Sequence, residues 1–330
     1  MGKLWRAHLR WPVISWLLLL AFNLFFTRGF FSIEIKGGHL YGSLIDVFDR
    51  AAPVLLLALG MALVIGTGGV DLSVGAIMAL SGAVAATVAI KGHSPYIALA
   101  AVLLVSALCG AFNGFLVAAL SMQPIVATLI LMVAGRGFAQ LLTDGQIINM
   151  ENPVLTYLGN GWIAGLPAAA VFAVLAYLLT SWLVRGTALG LFVEASGGNS
   201  TACRLAGVPT RAVVFCTYVY SGLCAGLAGL IVAADIKAAD GNQAGMYLEL
   251  DAILAVVLGG TSLIGGRFSL AGAFAGAILM QTLTTTILSR GIPVQYNLVV
   301  KALVILAVCL LQAPAMKRWL DALRRKEAKA

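Results

Sequence analysis

Residues 51–90 read "AAPVLLLALGMALVIGTGGVDLSVGAIMALSGAVAATVAI", two apolar runs divided by a glycine-rich break. Each run approaches the roughly twenty apolar residues that a helix needs to cross a ~30 Å hydrocarbon core. The break, "GTGGVDLSVG" at 66–75, holds four glycines and Asp71, the only acidic residue within twenty positions on either side. The stretch therefore predicts two membrane helices joined by a segment that carries a carboxylate.

The composition of the whole chain agrees with this reading. Of the 330 residues 61% are hydrophobic and 10% charged, with a mean hydropathy of +0.99, whereas soluble domains carry about 25% charged residues. The apolar runs are continuous rather than alternating, which favours helices over a β-barrel as the structure that satisfies the backbone in lipid. The sequence predicts an all-α polytopic membrane protein, with residues 1–330 forming one transmembrane domain.

Ten spans are predicted. The first begins at residue 10 or 11 and ends at 31, and the others cover 51–67, 72–90, 96–118, 124–142, 161–184, 212–234, 250–266, 268–289 and 294–312. With both termini cytoplasmic, thirteen of the 21 lysines and arginines lie on the cytoplasmic side, six of them in a basic tail at 313–330, as the positive-inside rule requires. The net charge of +8 then reflects topology, and no nucleic-acid partner is expected.

Chemically reactive residues are few. The five cysteines show no CxxC spacing, and the three histidines lie outside the predicted spans. We therefore expect no catalytic residues, no metal site and no disulfide.

The longest predicted cytoplasmic connection, 185–211, contains a short capped helix. Asn199 is a good N-cap for Ser200–Ala206, Gly207 suits the position after the helix, and Pro209 prevents its continuation. The helix is either interfacial, lying on the bilayer, or a docking element for a cytoplasmic partner.

Three segments give the chain a family resemblance. "TGGVDLSVGA" (67–76), the A-x-G-x-N-x-x-A pattern from Ala195 to Ala202, and "VVLGGTSLIGGRFSLAGAFAGA" (256–277) resemble the permeases of bacterial ABC importers for ribose, xylose and galactofuranose. The resemblance runs from about residue 45 to 312 and is nearest to the galactofuranose permease subunits.

The resemblance implies a multi-pass pore subunit of the bacterial inner membrane that binds no cofactor of its own. Its partners would be a second permease (a copy or a related chain), an ATPase with two cassettes that uses ATP and magnesium, and a periplasmic sugar-binding protein. The chain has no GxxxxGK[ST] phosphate loop, in agreement with a separate ATPase. The ATPase-coupling residues implied are the following: Ala195, Gly197, Asn199, Ala202 and Gly207.

The break at 66–75 has two interpretations. Asp71 or Ser73 could cap the third helix, beside amides freed at Gly68 and Gly69. The break could instead line the pathway, since unwound backbone is tolerated in membranes mainly beside a cavity. A similar break with Gly259 and Gly260 follows in "LGGTSLIGG" (258–266), which suggests a weak internal repeat.

Polar residues within the spans are the remaining pathway candidates, because sugars are bound by hydrogen-bonding groups. The neutral candidates are Asn113, Thr128, Gln281, Thr285 and Asn297. Arg136 and Lys301 would each cost ~2.5–3.5 kcal/mol at a helix centre, so each either faces a cavity or extends to the interface.

Other functions remain open at this point. A permease of the same family for another sugar or a nucleoside would carry the same motifs. An ion-coupled secondary transporter would need acidic residues within the spans, and Asp71 is the only candidate that we identify from the sequence.

Overall fold

The computed structural model describes residues 2–312, which are mostly helical. Six of the described helices are long and apolar enough to cross a membrane. They are α2 (Ser43–Gly66), α4 (Pro95–Ala118), α5 (Pro124–Thr143), α7 (Ala168–Gly186), α10 (Thr210–Ile236) and α12 (Leu270–Ser289). The helical membrane class is therefore confirmed; the basic tail at 313–330 lies outside the described residues.

The other described helices lack an apolar stretch of that length. They are α1 (Gly2–Phe26), α3 (Val74–Ile90), α6 (Pro153–Asn160), α8 (Leu189–Gly198), α9 (Ser200–Leu205), α11 (Leu248–Leu258) and α13 (Asn297–Gln312), with a 3-10 turn at Val294–Tyr296 before α13. Apolar stretches of 10–17 residues occur in α1, α3 and α13.

Four predicted spans need correction. The first helix, α1, ends at Phe26 rather than at residue 31. The second helix begins at Ser43 rather than 51, and the sixth begins at Ala168 because the residues before it form a hairpin. The eighth prediction, 250–266, is wrong as a continuous helix. It contains α11, which is eleven residues or about 16 Å long, and an irregular stretch from 259 to 269.

Short antiparallel strands join the connections at one end of the helices. β1 (Glu34–Lys36) pairs with β2 (His39–Tyr41), β3 (Ile147–Asn149) with β6 (Ala238–Asp240), and β4 (Trp162–Ile163) with β5 (Leu166–Pro167). The β1–β2 and β4–β5 hairpins touch, since the Leu40 amide donates to the carbonyl of Gly165 at 3.0 Å.

Small residues allow α10 to pack closely against α2, α3 and α4. A Cβ at Gly222 would lie 2.4 Å from the Ser106 carbonyl oxygen, and one at Gly229 would lie 2.3 Å from that of Met78. Without a hydrophobic drive between helices in lipid, such backbone contacts supply dispersion energy. α10 is consequently the central helix around which the others are arranged.

Both glycine breaks end their helices with the same cap. Gly68 and Gly260 have φ near +85°, and their amides bond to the carbonyls of Ile65 and Val257. The next residues, Gly69 and Thr261, bond to the carbonyls of Val64 and Val256. This is the Schellman arrangement, in which the left-handed residue suits glycine. α2 thus ends just before Gly68 and Gly69, and α11 just before Gly259 and Gly260.

The two breaks also pack against each other. The Gly266 amide donates to the Gly66 carbonyl at 3.0 Å, and a Cβ at Gly265 would lie 2.8 Å from Cα of Gly68. Segments almost 200 residues apart thus meet through bare backbone.

Candidate transport site

Asp71 lies at the centre of a buried polar network. Its Oδ1 accepts from the Ser73 hydroxyl at 2.6 Å and the Ser73 amide at 3.1 Å, and its Oδ2 accepts from the Ser221 hydroxyl at 2.8 Å. The Asn113 side-chain amide donates to Ser73 Oγ at 2.8 Å. Asp71, Ser73 and Asn113 are all fully buried. The carboxylate therefore connects the break before α3 to α4 and α10.

The position of this network bears on the two interpretations of the break at 66–75. Asp71 accepts a hydrogen bond from the backbone amide of Ser73, two residues later in the chain, as an aspartate in a turn does. Ser73 is the residue before α3, and its side chain makes no capping hydrogen bond. Ser221 stands near the middle of the 27-residue α10. The chain after Gly66 thus turns back into the helix bundle, and α3 begins well inside it.

Thr128 also reaches the break, although weakly. Its hydroxyl lies 3.4 Å from the Val70 carbonyl and bonds more closely, at 2.9 Å, to Pro124 in its own helix. The structure thus brings together four of the predicted pathway residues, and Thr128 is the peripheral one.

Lys301 is buried in an ion pair and does not extend to the interface. Its Nζ donates to Asp251 Oδ2 at 2.8 Å, and the residue is 8% exposed. The pair joins α13 to α11. Asp251 stands inside the predicted span 250–266, so Asp71 is not the only acidic residue among those segments, and that expectation is corrected.

A cavity of about 250 Å³ lies beside this ion pair. Lys301, Asp251 and Gln281 line it, together with Asp49 and Asp235, which stand near the ends of α2 and α10. Of the predicted pathway residues, Gln281 and Lys301 are the two that the cavity brings together.

Arg136 lies in a different place. Its guanidinium donates to the carbonyl of Ala244 and, at 3.4 Å, to that of Asn242. These contacts hold the connection between β6 and α11 against α5. Arg136 and Lys301, although they occupy matching predicted spans, do not share a site.

Two remaining candidates make few contacts. Thr285 Oγ1 accepts from the Gln281 side chain at 3.4 Å, a long hydrogen bond within α12. Asn297 Oδ1 is buried and has no hydrogen-bond partner among the described residues. Neither joins the Asp71 network.

The 185–211 connection folds as α8 and α9. Asn199 caps α9, since its side chain accepts from the Ala202 amide at 2.9 Å, and Gly207 has a φ of +83° just after the helix. The predicted cap and helix stop are confirmed. All but one residue of α9 is exposed, and Leu205 is 87% exposed.

Gly197, on α8, packs against both glycine breaks. A Cβ there would lie 2.0 Å from the Gly66 carbonyl oxygen and 2.6 Å from the Gly266 amide. Burial raises the pKa of the neighbouring Glu194 carboxyl, although a hydrogen bond from the Phe268 backbone acts in the opposite direction. Of the coupling residues that the resemblance implies, Asn199, Ala202 and Gly207 are exposed, whereas Gly197 contacts both breaks.

Sequence reasoning missed Ser221, Asp49, Asp235 and Asp251. Asp251 carried a usable signal, because opposite charges in two apolar segments indicate a pair, here with Lys301. Ser221 carried none, since a serine in a membrane helix more often bonds its own backbone.

Comparison with known proteins shows a family match and several similar proteins. Residues 43–309 match the family model described as "Branched-chain amino acid transport system / permease component". The galactofuranose transporter permease of Escherichia coli K12 is 51% identical over 93% of this chain and 92% of its own length.

More distant relatives act on other sugars. The fructose import permease of Bifidobacterium longum is 37% identical over 99% of this chain and 93% of its own. The ribose import permease of Escherichia coli K12 is 36% identical over 90% of this chain and 91% of its own. No solved structure matches the chain.

Proposed function

The chain belongs to the family of branched-chain amino acid transport system permease components, among its ABC sugar permeases, and we propose that its cargo is galactofuranose. One observation supports this cargo above the others. Identity to the galactofuranose permease is 51%, against 37% and 36% for the fructose and ribose permeases.

The chain acts as a pore subunit in this proposal and does not hydrolyse ATP. A second permease completes the pore, an ATPase with two cassettes binds ATP and magnesium, and a periplasmic protein delivers the sugar. The family membership supports this assembly, because its named relatives are permease proteins of transporters.

The complex lies in the bacterial inner membrane with ten crossings and both termini of the chain cytoplasmic. The corrected segment at 250–266 is compatible with this count. β6 pairs with β3 at one end of the helices, whereas Gly266 contacts Gly66 and lies beside Gly197 at the other. These contacts support one crossing between β6 and α12, through α11 and irregular backbone.

In the same proposal α9 docks on the ATPase. It is exposed, its N-cap is satisfied, and α8 beside it contacts both glycine breaks through Gly197. Motion of α9 would thereby reach the Asp71 network along a short path of packed backbone. The alternative, an interfacial helix, is less compatible with a helix that has only Leu205 as a large apolar side chain.

Substrate choice can be tested by uptake. Cells that express the chain with its ATPase and binding protein, and that lack other carriers for these sugars, should accumulate labelled galactofuranose faster than ribose or fructose. ATP depletion should stop the uptake, whereas a protonophore at constant ATP should not.

Three outcomes would each be informative. Faster uptake of ribose or fructose would replace the proposed cargo within the same family. A nucleoside as preferred substrate would do the same. Uptake that follows the proton gradient at constant ATP would support the ion-coupled alternative and contradict the assembly.

ATPase docking can be tested on α9 itself. Leu205→Glu places a charge on a side chain that is 87% exposed, where a surface change usually alters stability by less than about 0.5 kcal/mol. We expect normal amounts of chain in the membrane but little ATPase retained when the chain is purified by an affinity tag.

The matched control is Ile35→Glu. Ile35 is a 73% exposed aliphatic residue on β1, at the other end of the helices, and its variant should retain the ATPase. Equal retention by both variants would place the docking surface outside α9.

A further inference from the structure

The cavity beside Lys301 and Asp251 has a mixed polar wall. Besides that ion pair it carries Asp49, Arg50 and Asp235, with Gln281 and Thr284 on one face of α12. Apolar side chains from α2, α7, α10 and α11 also line it, and none of the lining residues that the structure describes is aromatic. Its volume, about 250 Å³, lies just below the roughly 300–1,000 Å³ typical of pockets for drug-sized ligands.

Hydrogen-bonding capacity in this wall is left unused. Asp49 Oδ1 is buried and has no hydrogen-bond partner in the part of the chain that the structure describes. Lys301 Nζ carries three N–H donors, and the structure gives it one acceptor, Asp251. Among the described residues Lys301–Asp251 is the one ion pair in the wall.

Such unused groups indicate a ligand. A buried acceptor without a partner costs free energy that a hydroxyl donor would recover. Two nearby carboxylates, those of Asp49 and Asp235, would each accept from sugar hydroxyls, and the ammonium of Lys301 would donate to a ring or hydroxyl oxygen. A metal ion fits less well, since no three His, Cys, Asp or Glu side chains within residues 2–312 converge at coordination distance.

We propose that this cavity is a binding station for one neutral monosaccharide within a single permease chain. The proposal rests on the proposed function and specifies the chemistry of the ligand. Among the lining residues that the structure describes, three carboxylates against two cations give a formal charge of −1, which disfavours sugar acids and sugar phosphates. The lack of an aromatic ring removes the platform on which a nucleobase would stack.

The same wall implies weak binding. Carboxylate–hydroxyl bonds without aromatic stacking give orientation but little apolar contact area, and a transported ligand must also leave. The station would therefore hold the sugar briefly on its way through the chain.

Protection of a cysteine from alkylation tests the proposal. Thr284→Cys places a thiol in the wall, and a membrane-impermeant thiol reagent is added to intact cells that express the complex. Methyl galactofuranoside should slow alkylation; at ten times its Kd the free fraction of sites, and hence the rate, falls about tenfold. Galacturonate at the same concentration should leave the rate unchanged.

Two further variants assign the effect to the cavity. Asp49→Ala in the Thr284→Cys background should abolish protection. Asp46→Ala should retain it, because Asp46 lies one turn earlier on α2 with its side chain exposed and outside the cavity. The amount of chain in the membrane is measured for each, so that loss of protection is not confused with loss of protein.

Failure of the station and failure of the proposed cargo give different results. Galactofuranose uptake without protection by any neutral sugar, or with equal protection by galacturonate, overturns the station alone. Retained protection in Asp49→Ala does the same. Protection by ribose or fructose but not by the galactofuranoside supports the station and overturns the cargo.

Discussion

Replacing Asp71 by leucine should remove most of the protein from the membrane. The substitution leaves the Ser73 and Ser221 hydroxyls and the Ser73 amide without their buried acceptor. Each stranded buried group costs about 1–3 kcal/mol, and a folded protein has only about 5–15 kcal/mol of net stability. We expect a marked fall in membrane abundance and in the unfolding temperature of the detergent-solubilised chain.

Two further variants show whether the network is responsible. Asp71→Asn keeps one acceptor oxygen. Its membrane abundance and unfolding temperature should lie between those of the wild type and those of Asp71→Leu. Asp46→Leu removes an exposed carboxylate from the first turn of α2, which should cost only about 0.3–1 kcal/mol through the helix dipole. Normal abundance and uptake in Asp71→Leu would show that the buried network is dispensable.

Replacing Gly197 by valine should strongly reduce uptake, whereas valine at Gly198 should not. At Gly197 a Cβ meets the Gly66 carbonyl oxygen at 2.0 Å and the Gly266 amide at 2.6 Å, and both are backbone atoms that cannot rotate away. At Gly198 a Cβ has no atom of the described residues within 4 Å. Neighbouring glycines on one helix thus provide a matched pair.

The effect at Gly197 should arise from overpacking. Forcing atoms into a packed contact costs about 1–3 kcal/mol or more. A coupling free energy of that size corresponds to a change of roughly 5–150-fold in an equilibrium constant. We therefore expect uptake per membrane-inserted chain to fall by at least that lower factor, while ATPase retention through α9 persists. Equal uptake by the two variants would show that α8 does not act through the breaks.

The sequence by itself determined the helical membrane class, most helix positions and some of the places where helices stop. Hydropathy is a local property, because an apolar run of about twenty residues has to cross lipid whatever its neighbours are. Caps are local as well: Asn199 bonds to an amide three residues ahead, and the left-handed turns at Gly68 and Gly260 need only glycine and the preceding helical turn.

Hydropathy misled where helix and loop are both apolar. Residues 259–266 contain only small residues apart from Leu263 and Ile264, and the predicted span was continued through them past the glycines that end α11. Likewise the apolar start of the sixth span hides the hairpin of β4 and β5.

Only the tertiary structure decided which polar residues meet. Asp71 and Ser221 are 150 residues apart, and Lys301 lies 50 residues from Asp251. Their contact depends on which helices are neighbours, and that choice follows from close backbone packing at glycines such as Gly60, Gly222 and Gly229. Helix order in lipid is set by the shapes of two surfaces together, so a single segment cannot show it, and the Asp71 network and the cavity become visible only once the helices are packed.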